Sequence, residues 1–173
     1  MKLRPIHILT GLIAIIVSSY CIYNFPYIGN VPFTLQSLIV FVVASILKPK
    51  EFLICILVYL ALGIVGAPVY AAGASGFEKL IGNSGGFLYG FIFSGYYISS
   101  SFKEGETKSF IGILNVMIQA TVVLFFFGLL HLTIIHGFNN ALVYGLYPFW
   151  TPALLKIFIA TVMIYLISRY QRA

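Results

Sequence analysis

Six long apolar segments, separated by short polar or glycine-rich breaks, set the strongest limit on what this chain can fold into. The segments cover residues 6–23, 31–47, 52–66, 84–100, 110–134 and 153–168. Of the 173 residues, 61% are hydrophobic and only 8% are charged, so a soluble domain would lack the polar surface to cover itself. Irregular chain and open sheet edges are not viable in lipid. We therefore predict an all-α membrane protein with six transmembrane helices in a single domain, residues 1–173.

The breaks between the segments are of two kinds that alternate along the chain, and this alternation predicts the topology. Residues 48–51 and 101–109 are short and charged, whereas residues 24–32, 67–83 and 135–152 are nearly uncharged and rich in Gly, Pro, Asn and aromatic residues. If both termini lie on the charged side, that side collects Lys2, Arg4, Lys48, Lys50, Lys103, Lys108, Arg169 and Arg172. Because positive residues mark the cytoplasmic side, we predict cytoplasmic N- and C-termini in a multi-pass protein of the inner or plasma membrane. The basic residues form no patch, so no nucleic-acid partner is expected.

Lys156 lies about one helical turn inside the last apolar segment, within the sequence TPALLK (151–156). A lysine in that position is costly in lipid and normally has a partner, yet the sequence contains no aspartate at all. The residues leave three accounts open. The lysine extends to water at the membrane surface, it pairs with Glu78, or it binds an acidic ligand.

The second outer loop, GAPVYAAGASGFEKLIGNSGGF (66–87), is too long and too apolar for a simple solvated connection. We expect it to fold over a cavity as a lid, and the alternative is an interfacial loop without a ligand. The fourth apolar segment follows it and opens with Asn83-Ser84-Gly85-Gly86. A helix that begins there offers free N–H groups and a partial positive charge to an anion, although ordinary capping is the simpler interpretation.

Small residues recur at helical spacing in two places. Gly82, Gly86, Gly90 and Ser94 follow one another every four residues, which predicts a face for close helix contact. Thr10, Ala14 and Ser18 form a similar stripe in the first segment. Spacing favours internal packing for that stripe, and contact with a helix of another protein is the alternative.

No catalytic or metal-binding set can be assembled from the sequence. His131 and His136 are five residues apart and do not share a helix face as an i, i+4 metal pair would. Cys21 and Cys55 lie in or beside apolar runs and are expected to behave as inert small hydrophobic residues. We therefore expect no metal, no cofactor and no enzymatic activity, and any ATP-driven function requires partner proteins.

Four further motifs are present along the chain: VPFTLQSL (31–38), LGIVGAPVYA (62–71), GNSGGFLYGF (82–91) and YPFWTPALLK (147–156). Together, and in this order over nearly the whole chain, they resemble the BioY family of biotin transporters, which are the substrate-binding subunits (S components) of energy-coupling factor transporters. The resemblance implies the S-component fold and a high-affinity biotin site near the outer face, closed by the loops after the first and third helices. The substrate-binding residues expected from these motifs are Lys156, Asn83, Ser84, Gly85, Gly86, Phe87, Tyr70, Thr34 and Gln36.

The resemblance also implies partners. A coupling transmembrane subunit and two ATPase subunits would drive release of biotin inside, so ATP enters only through the partners. The family docks on the coupling subunit through small residues of the first helix, which here correspond to Thr10, Ala14 and Ser18.

Two motifs depart from the family pattern. The family usually has P-T-G-G-Y where this chain has Asn83 to Phe87, and P-G-D-x-x-K where this chain has Ala153 before Lys156. Loss of one charged hydrogen bond is worth ~1.5–3 kcal/mol, which is about a tenfold to hundredfold change in affinity. An S component or a solitary transporter for a biotin precursor or another small acidic vitamin is therefore the alternative function. A membrane enzyme or a structural helix bundle is the alternative of a different class.

Overall fold

A computed structural model of the protein describes residues 3–24, 32–102 and 109–170. Some features used for the sequence predictions lie outside these described residues. They are Lys2, Lys103, Lys108, Arg172 and most of the first outer loop, residues 25–31.

The described part of the chain contains six helices longer than ten residues, and they confirm the six apolar segments as helical. They are α1 (Pro5–Tyr20), α2 (Gln36–Ile46), α3 (Pro49–Ile64), α4 (Gly85–Ser101), α5 (Phe110–His136) and α6 (Trp150–Tyr170). Shorter helical turns lie between them, at Ala71–Gly73, Glu78–Ile81, Phe138–Ala141 and Leu142–Leu146.

One feature departs from the all-α prediction. The segments Ile22–Asn24 and Pro32–Thr34 pair as two short antiparallel strands, with Ile22 opposite Thr34. The pairing connects the end of α1 to the start of α2, and three residues a side are too few to give a recognisable alternation in the sequence.

Local sequence signals explain several helix ends. Pro5 and Pro49 lie at the first position of α1 and α3, where a missing N–H costs nothing and the fixed φ suits a helix. Ser109 caps α5, because its side chain accepts a hydrogen bond of 3.1 Å from the Gly112 N–H. Gly137 ends α5 with a φ of 81°, a conformation that glycine adopts without strain.

The glycine stripe of α4 packs against α5, which confirms the close contact predicted for Gly86 and Gly90. A Cβ added to Gly86 would lie 2.5 Å from the Phe127 carbonyl oxygen, and one added to Gly90 would lie 2.8 Å from Leu124 Cδ1. Any larger side chain would therefore push the two helices apart. Gly82 differs from the prediction, because it precedes α4 and lies in the connection before it.

At the charged end of the molecule, Arg4 holds the first turn of α3. Its guanidinium forms an ion pair of 2.8 Å with Glu51, whose carboxylate is fully buried. The same carboxylate accepts backbone N–H groups from Arg4 at 2.9 Å and from Lys48 at 3.1 Å. Hydrogen bonding from Arg4 outweighs the opposing effect of burial and lowers the pKa of Glu51 to about 2.

The outer surface of the helices is strongly apolar. Of the described helices, α5 and α6 are long and apolar enough to cross a membrane, with mean hydropathies of 2.3 and 1.8, and α1 and α2 are shorter apolar helices. Large side chains such as Ile6, Val122 and Ile134 are well exposed. Such a surface suits lipid better than water.

Candidate ligand-binding cavity

A cavity of about 300 Å³ lies among α2, α4, α5, α6 and the segment that follows α3. Its volume is at the lower end of the ~300–1,000 Å³ typical of small-molecule sites. Most of the wall is apolar, and this part is formed by Leu38, Phe41, Ala71, Ala74, Phe87, Leu88, Phe91, Leu124, Phe125, Phe149, Ala153 and Ile157. Polar groups are contributed by Thr34, Gln36, Ser37, Tyr70, Lys79, Ser84, Thr121 and Lys156.

The charged groups on the wall are all of one sign. Lys79 and Lys156 line the cavity, and no carboxylate does so among the residues that the structure describes. The cavity is therefore suited to a mainly apolar molecule that carries a negative charge.

Lys156 lies in the second turn of α6, because that helix begins at Trp150, three residues before the predicted segment. Its ammonium donates a hydrogen bond of 3.0 Å to the Ser37 hydroxyl at the start of α2. Glu78, the internal acid considered as a partner, is exposed and forms no ion pair with Lys156 in the described structure. The ammonium group of Lys156 thus contributes a positive charge to the cavity wall.

A buried network behind the cavity orients Gln36 and Tyr70. The Gln36 amide donates to the Tyr59 hydroxyl, and the Tyr59 ring meets the Tyr70 ring edge-on at 5.6 Å. The Tyr70 hydroxyl in turn donates to the Leu60 carbonyl at 2.7 Å. A Cβ added to Gly63 would lie 2.0 Å from Tyr70 Cζ, so glycine is required for the ring to lie against α3.

The segment after α3 folds against the cavity, as predicted for the second outer loop. A tight turn at its start is closed by hydrogen bonds from the Tyr70 N–H to Ala74 and from the Gly73 N–H to Tyr70, both 2.9 Å. Ala72 takes up a left-handed φ of 62° in this turn, a conformation that is uncommon for a residue with a Cβ. The turn places Ala71 and Ala74 on the cavity wall.

The structure brings most of the predicted site residues together and leaves three elsewhere. Those on the cavity wall are Lys156, Ser84, Phe87, Tyr70, Thr34 and Gln36. Asn83, Gly85 and Gly86 are not part of the wall. The Asn83 side-chain oxygen instead lies 2.7 Å from His136 Nε2, at an exposed position.

Gly85 and Gly86 have packing roles, which explains why they are absent from the wall. The Gly85 N–H donates to the Gly82 carbonyl at 2.9 Å, so that group is not available to an anion. A Cβ added to Gly85 would lie 1.7 Å from the Leu80 carbonyl oxygen, and one on Gly86 would lie 2.5 Å from His131 Cβ. The Gly85 N–H at the N-terminus of α4 is therefore bonded within its own chain.

Sequence reasoning missed several residues of the wall. Ser37 follows Gln36 directly within the VPFTLQSL motif. It lies beside Lys156 only because α2 packs near α6 in the folded chain. Thr121 and Phe125 lie four residues apart on α5. Thr121 is one of several polar residues in this helix, together with Asn115, Gln119 and Thr133, so no signal in the sequence selected it or Phe125.

The small-residue stripe of α1 is only partly accessible. Thr10 is exposed and Ala14 is half-buried, whereas Ser18 is 4% exposed and donates back to the Ile15 carbonyl at 2.7 Å. Contact with another protein through Thr10 and Ala14 stays a prediction. Ser18 is buried within the chain, in agreement with the internal packing that the spacing of the stripe favoured.

Comparison with solved structures defines the class of the fold. A crystal structure titled as the S-component for biotin from an ECF-type ABC transporter superposes with a TM-score of 0.73 over 98% of this chain and 93% of that chain, at 20% sequence identity. The fold is therefore that of an S component. The family model for BioY matches residues 2–173, and the chain belongs to the BioY family.

Relatives of similar sequence agree with this membership. The chain is 35% identical to biotin transporter BioY2 of Lactococcus lactis over 78% of this chain and 75% of the relative. It is 31% identical to biotin transporter BioY of Thermotoga maritima over 79% and 80% of the two chains. A probable biotin transporter BioY of Rickettsia prowazekii is 26% identical over 96% of this chain and 84% of its own length. The protein is thus a helical membrane protein of a transporter family rather than an enzyme, as the sequence predicted.

Proposed function

We propose that this protein is a membrane-embedded, high-affinity biotin-binding subunit that captures biotin at the outer face for vitamin uptake. The observation that carries the proposal is the position of Lys156 on the wall of a largely apolar cavity without an acidic residue in its described lining. Membership in the BioY family supports biotin as the ligand.

Biotin and the cavity match in chemistry. Biotin has a carboxylate on an apolar chain and a polar, uncharged ureido ring. In this proposal the carboxylate binds Lys156, while the aromatic rings of the wall cover the chain and the bicyclic ring. Neutral groups such as Gln36 and Thr121 then orient the ureido group, because polar contacts fix orientation where apolar burial supplies much of the affinity.

The proposed topology has six transmembrane helices with both termini in the cytoplasm. The ion pair of Arg4 with Glu51 and the exposed Lys50 lie at one end of the bundle. Lys79 belongs to the segment between α3 and α4, which follows the other end of α3. The excess of positive residues at the first end supports its cytoplasmic placement.

Release on the inner side is proposed to need a coupling transmembrane subunit and two ATPase subunits. No nucleotide-binding motif is present in the sequence, so ATP acts only through those partners. The exposed Thr10 and half-buried Ala14 of α1 are the proposed contact with the coupling subunit.

A biotin precursor or another small acidic vitamin is the second candidate ligand. Ala153 favours it, because this methyl group lines the cavity where the family pattern usually has an aspartate. A ligand that lacks one of the ureido N–H donors would not need that acid.

Titration calorimetry of the purified protein tests the proposal. We expect tight biotin binding that weakens at least about tenfold in Lys156→Ala, since a hydrogen bond to a charged group is worth ~1.5–3 kcal/mol. Lys50→Ala, at an exposed position of α3 away from the cavity, is the matched control and should bind like the wild type. Absence of heat with biotin contradicts the proposal, and heat with a precursor alone establishes the second candidate.

A further inference from the structure

Two histidines of α5 contact one short stretch between the cavity-lining loop and α4. We name this stretch, residues 80–83, the lid joint. His131 Nε2 lies 2.9 Å from the Gly82 carbonyl oxygen, and His136 Nε2 lies 2.7 Å from the Asn83 side-chain oxygen. Neither histidine lines the cavity or belongs to the proposed ligand contacts.

Gly82 is the point at which two helices meet. Its N–H donates to the Glu78 carbonyl at 2.8 Å and so ends the short helix Glu78–Ile81. Its carbonyl accepts the Gly85 N–H at 2.9 Å at the start of α4. The His131 contact therefore acts on the carbonyl that connects the short helix to α4.

A second hydrogen bond strengthens the same joint. Tyr89 of α4 donates from its hydroxyl to the Leu80 carbonyl at 3.0 Å, and its ring meets the His131 ring edge-on at 5.8 Å. Gly86 allows His131 to approach, because a Cβ there would lie 2.5 Å from His131 Cβ. The half-buried histidine is thus held between α4 and the lid joint.

Chemistry fixes the direction of the His131 hydrogen bond. A carbonyl oxygen only accepts, so Nε2 of His131 must carry the proton, and the same holds for His136 facing the Asn83 oxygen. An imidazole protonated at Nε2 and an imidazolium both satisfy this requirement. The two contacts therefore hold the joint in either charge state.

The lid joint is flanked on both sides by side chains of the cavity wall. Lys79 precedes it and Ser84 follows it, and both line the cavity. A shift of the joint would displace a cation and a hydroxyl of the wall together. A group that fixes the joint consequently acts on the ligand without touching it.

We propose that His131, assisted by His136, is a positioning residue that fixes the lid joint and thereby sets the residence time of the bound ligand. The residence-time part rests on the proposed function, because it needs a ligand in the cavity. The fixing of the lid joint by His131 concerns the chain alone and needs no ligand.

The test compares His131→Gln with His131→Leu. A glutamine places an amide donor near the position of Nε2, whereas leucine removes the donor. Loss of one neutral hydrogen bond should raise the dissociation rate of radiolabelled biotin about threefold to tenfold in His131→Leu. The association rate should stay within about twofold of wild type, and His131→Gln should dissociate close to the wild-type rate. A merely structural role would lower the melting temperature and leave the dissociation rate unchanged.

Hydrogen exchange of the ligand-free protein supplies the second measurement. The Gly82 and Gly85 N–H groups should exchange faster in His131→Leu than in wild type and His131→Gln. If His131→Leu fails to fold, the exposed pair His136→Gln and His136→Leu is compared in the same way. Unchanged exchange and unchanged dissociation in the leucine variants would overturn the proposal. A wild-type protein that binds no biotin would contradict the proposed function instead, and the exchange comparison would then decide the role of the histidines.

Discussion

Lys156 of α6 donates a hydrogen bond of 3.0 Å to Ser37 of α2, so the two helices are joined by a polar contact on the cavity wall. The contact directs the ammonium group toward the space where a ligand would lie. The Ser37 hydroxyl also satisfies part of the hydrogen-bonding capacity of a lysine that lies in an apolar helix.

Replacing Ser37 by alanine should weaken biotin binding by about twofold to tenfold. One hydrogen bond that orients the lysine is lost, worth ~0.5–1.5 kcal/mol, while the charge remains. The measurement is the equilibrium dissociation constant, with Ser37→Thr as the control that keeps the hydroxyl. An alanine variant as tight as wild type would show that this bond does not orient the ammonium.

Gly63→Ala should destabilise the protein by about 1–3 kcal/mol, because overpacking costs that much and the new methyl group would overlap the Tyr70 ring. The displaced ring should also weaken ligand binding. Thermal unfolding in detergent measures the first effect, and Ala61→Ser at an exposed position of α3 is the control. Equal melting temperatures for Gly63→Ala and wild type would count against the packing described for Tyr70.

Acid should weaken the connection between the N-terminus and α3. The pKa of Glu51 is lowered from 4.5 to about 2, so its contribution is fully present above pH 4.5 and is lost as the pH falls toward 2. We expect the contact of Arg4 with Glu51 to contribute ~1–2 kcal/mol to the free energy of unfolding, because the Arg4 side chain is partly exposed. Glu51→Gln should be less stable at neutral pH and should lack this part of the pH dependence. A variant that keeps the wild-type profile would exclude Glu51 as its source.

A bulky residue on the accessible part of the α1 stripe should prevent association with a coupling subunit. Ala14→Trp is expected to abolish co-purification while biotin binding stays normal, because Ala14 lies away from the cavity wall. Ile13→Trp, on an exposed neighbouring position of the same helix, serves as the control. Co-purification that survives Ala14→Trp would show that the coupling subunit docks elsewhere.

The helices could be predicted from the sequence, because each apolar segment was long enough to be recognised. The packing of Gly86 and Gly90 followed as well, because small residues at intervals of four mark a close helix contact. The two short strands could not be foreseen, since segments of three residues carry no periodic signal.

Residues of the cavity wall could be predicted where a sequence motif contained them. They could not be predicted where only tertiary contacts bring them together. Lys156 was singled out because a lysine is conspicuous in an apolar helix, and Gln36 was expected from the VPFTLQSL motif; both lie on the cavity wall. Asn83 lies beside His136 and not on the cavity wall, and the sequence does not show that proximity. Ser37 was missed for the same reason, since its partner is 119 residues away.

The proposed binding of the biotin carboxylate by Lys156 is tested by the ratio of the affinities for biotin and for its uncharged amide. The wild type should bind the acid about tenfold to hundredfold more tightly than the amide, the worth of one charged hydrogen bond. Lys156→Met should bind both about equally, while Lys156→Arg should keep part of the preference. Lys79→Met is the control for the second lysine of the wall. An undiminished preference for the acid in Lys156→Met, or loss of that preference in Lys79→Met alone, would contradict the proposed role of Lys156.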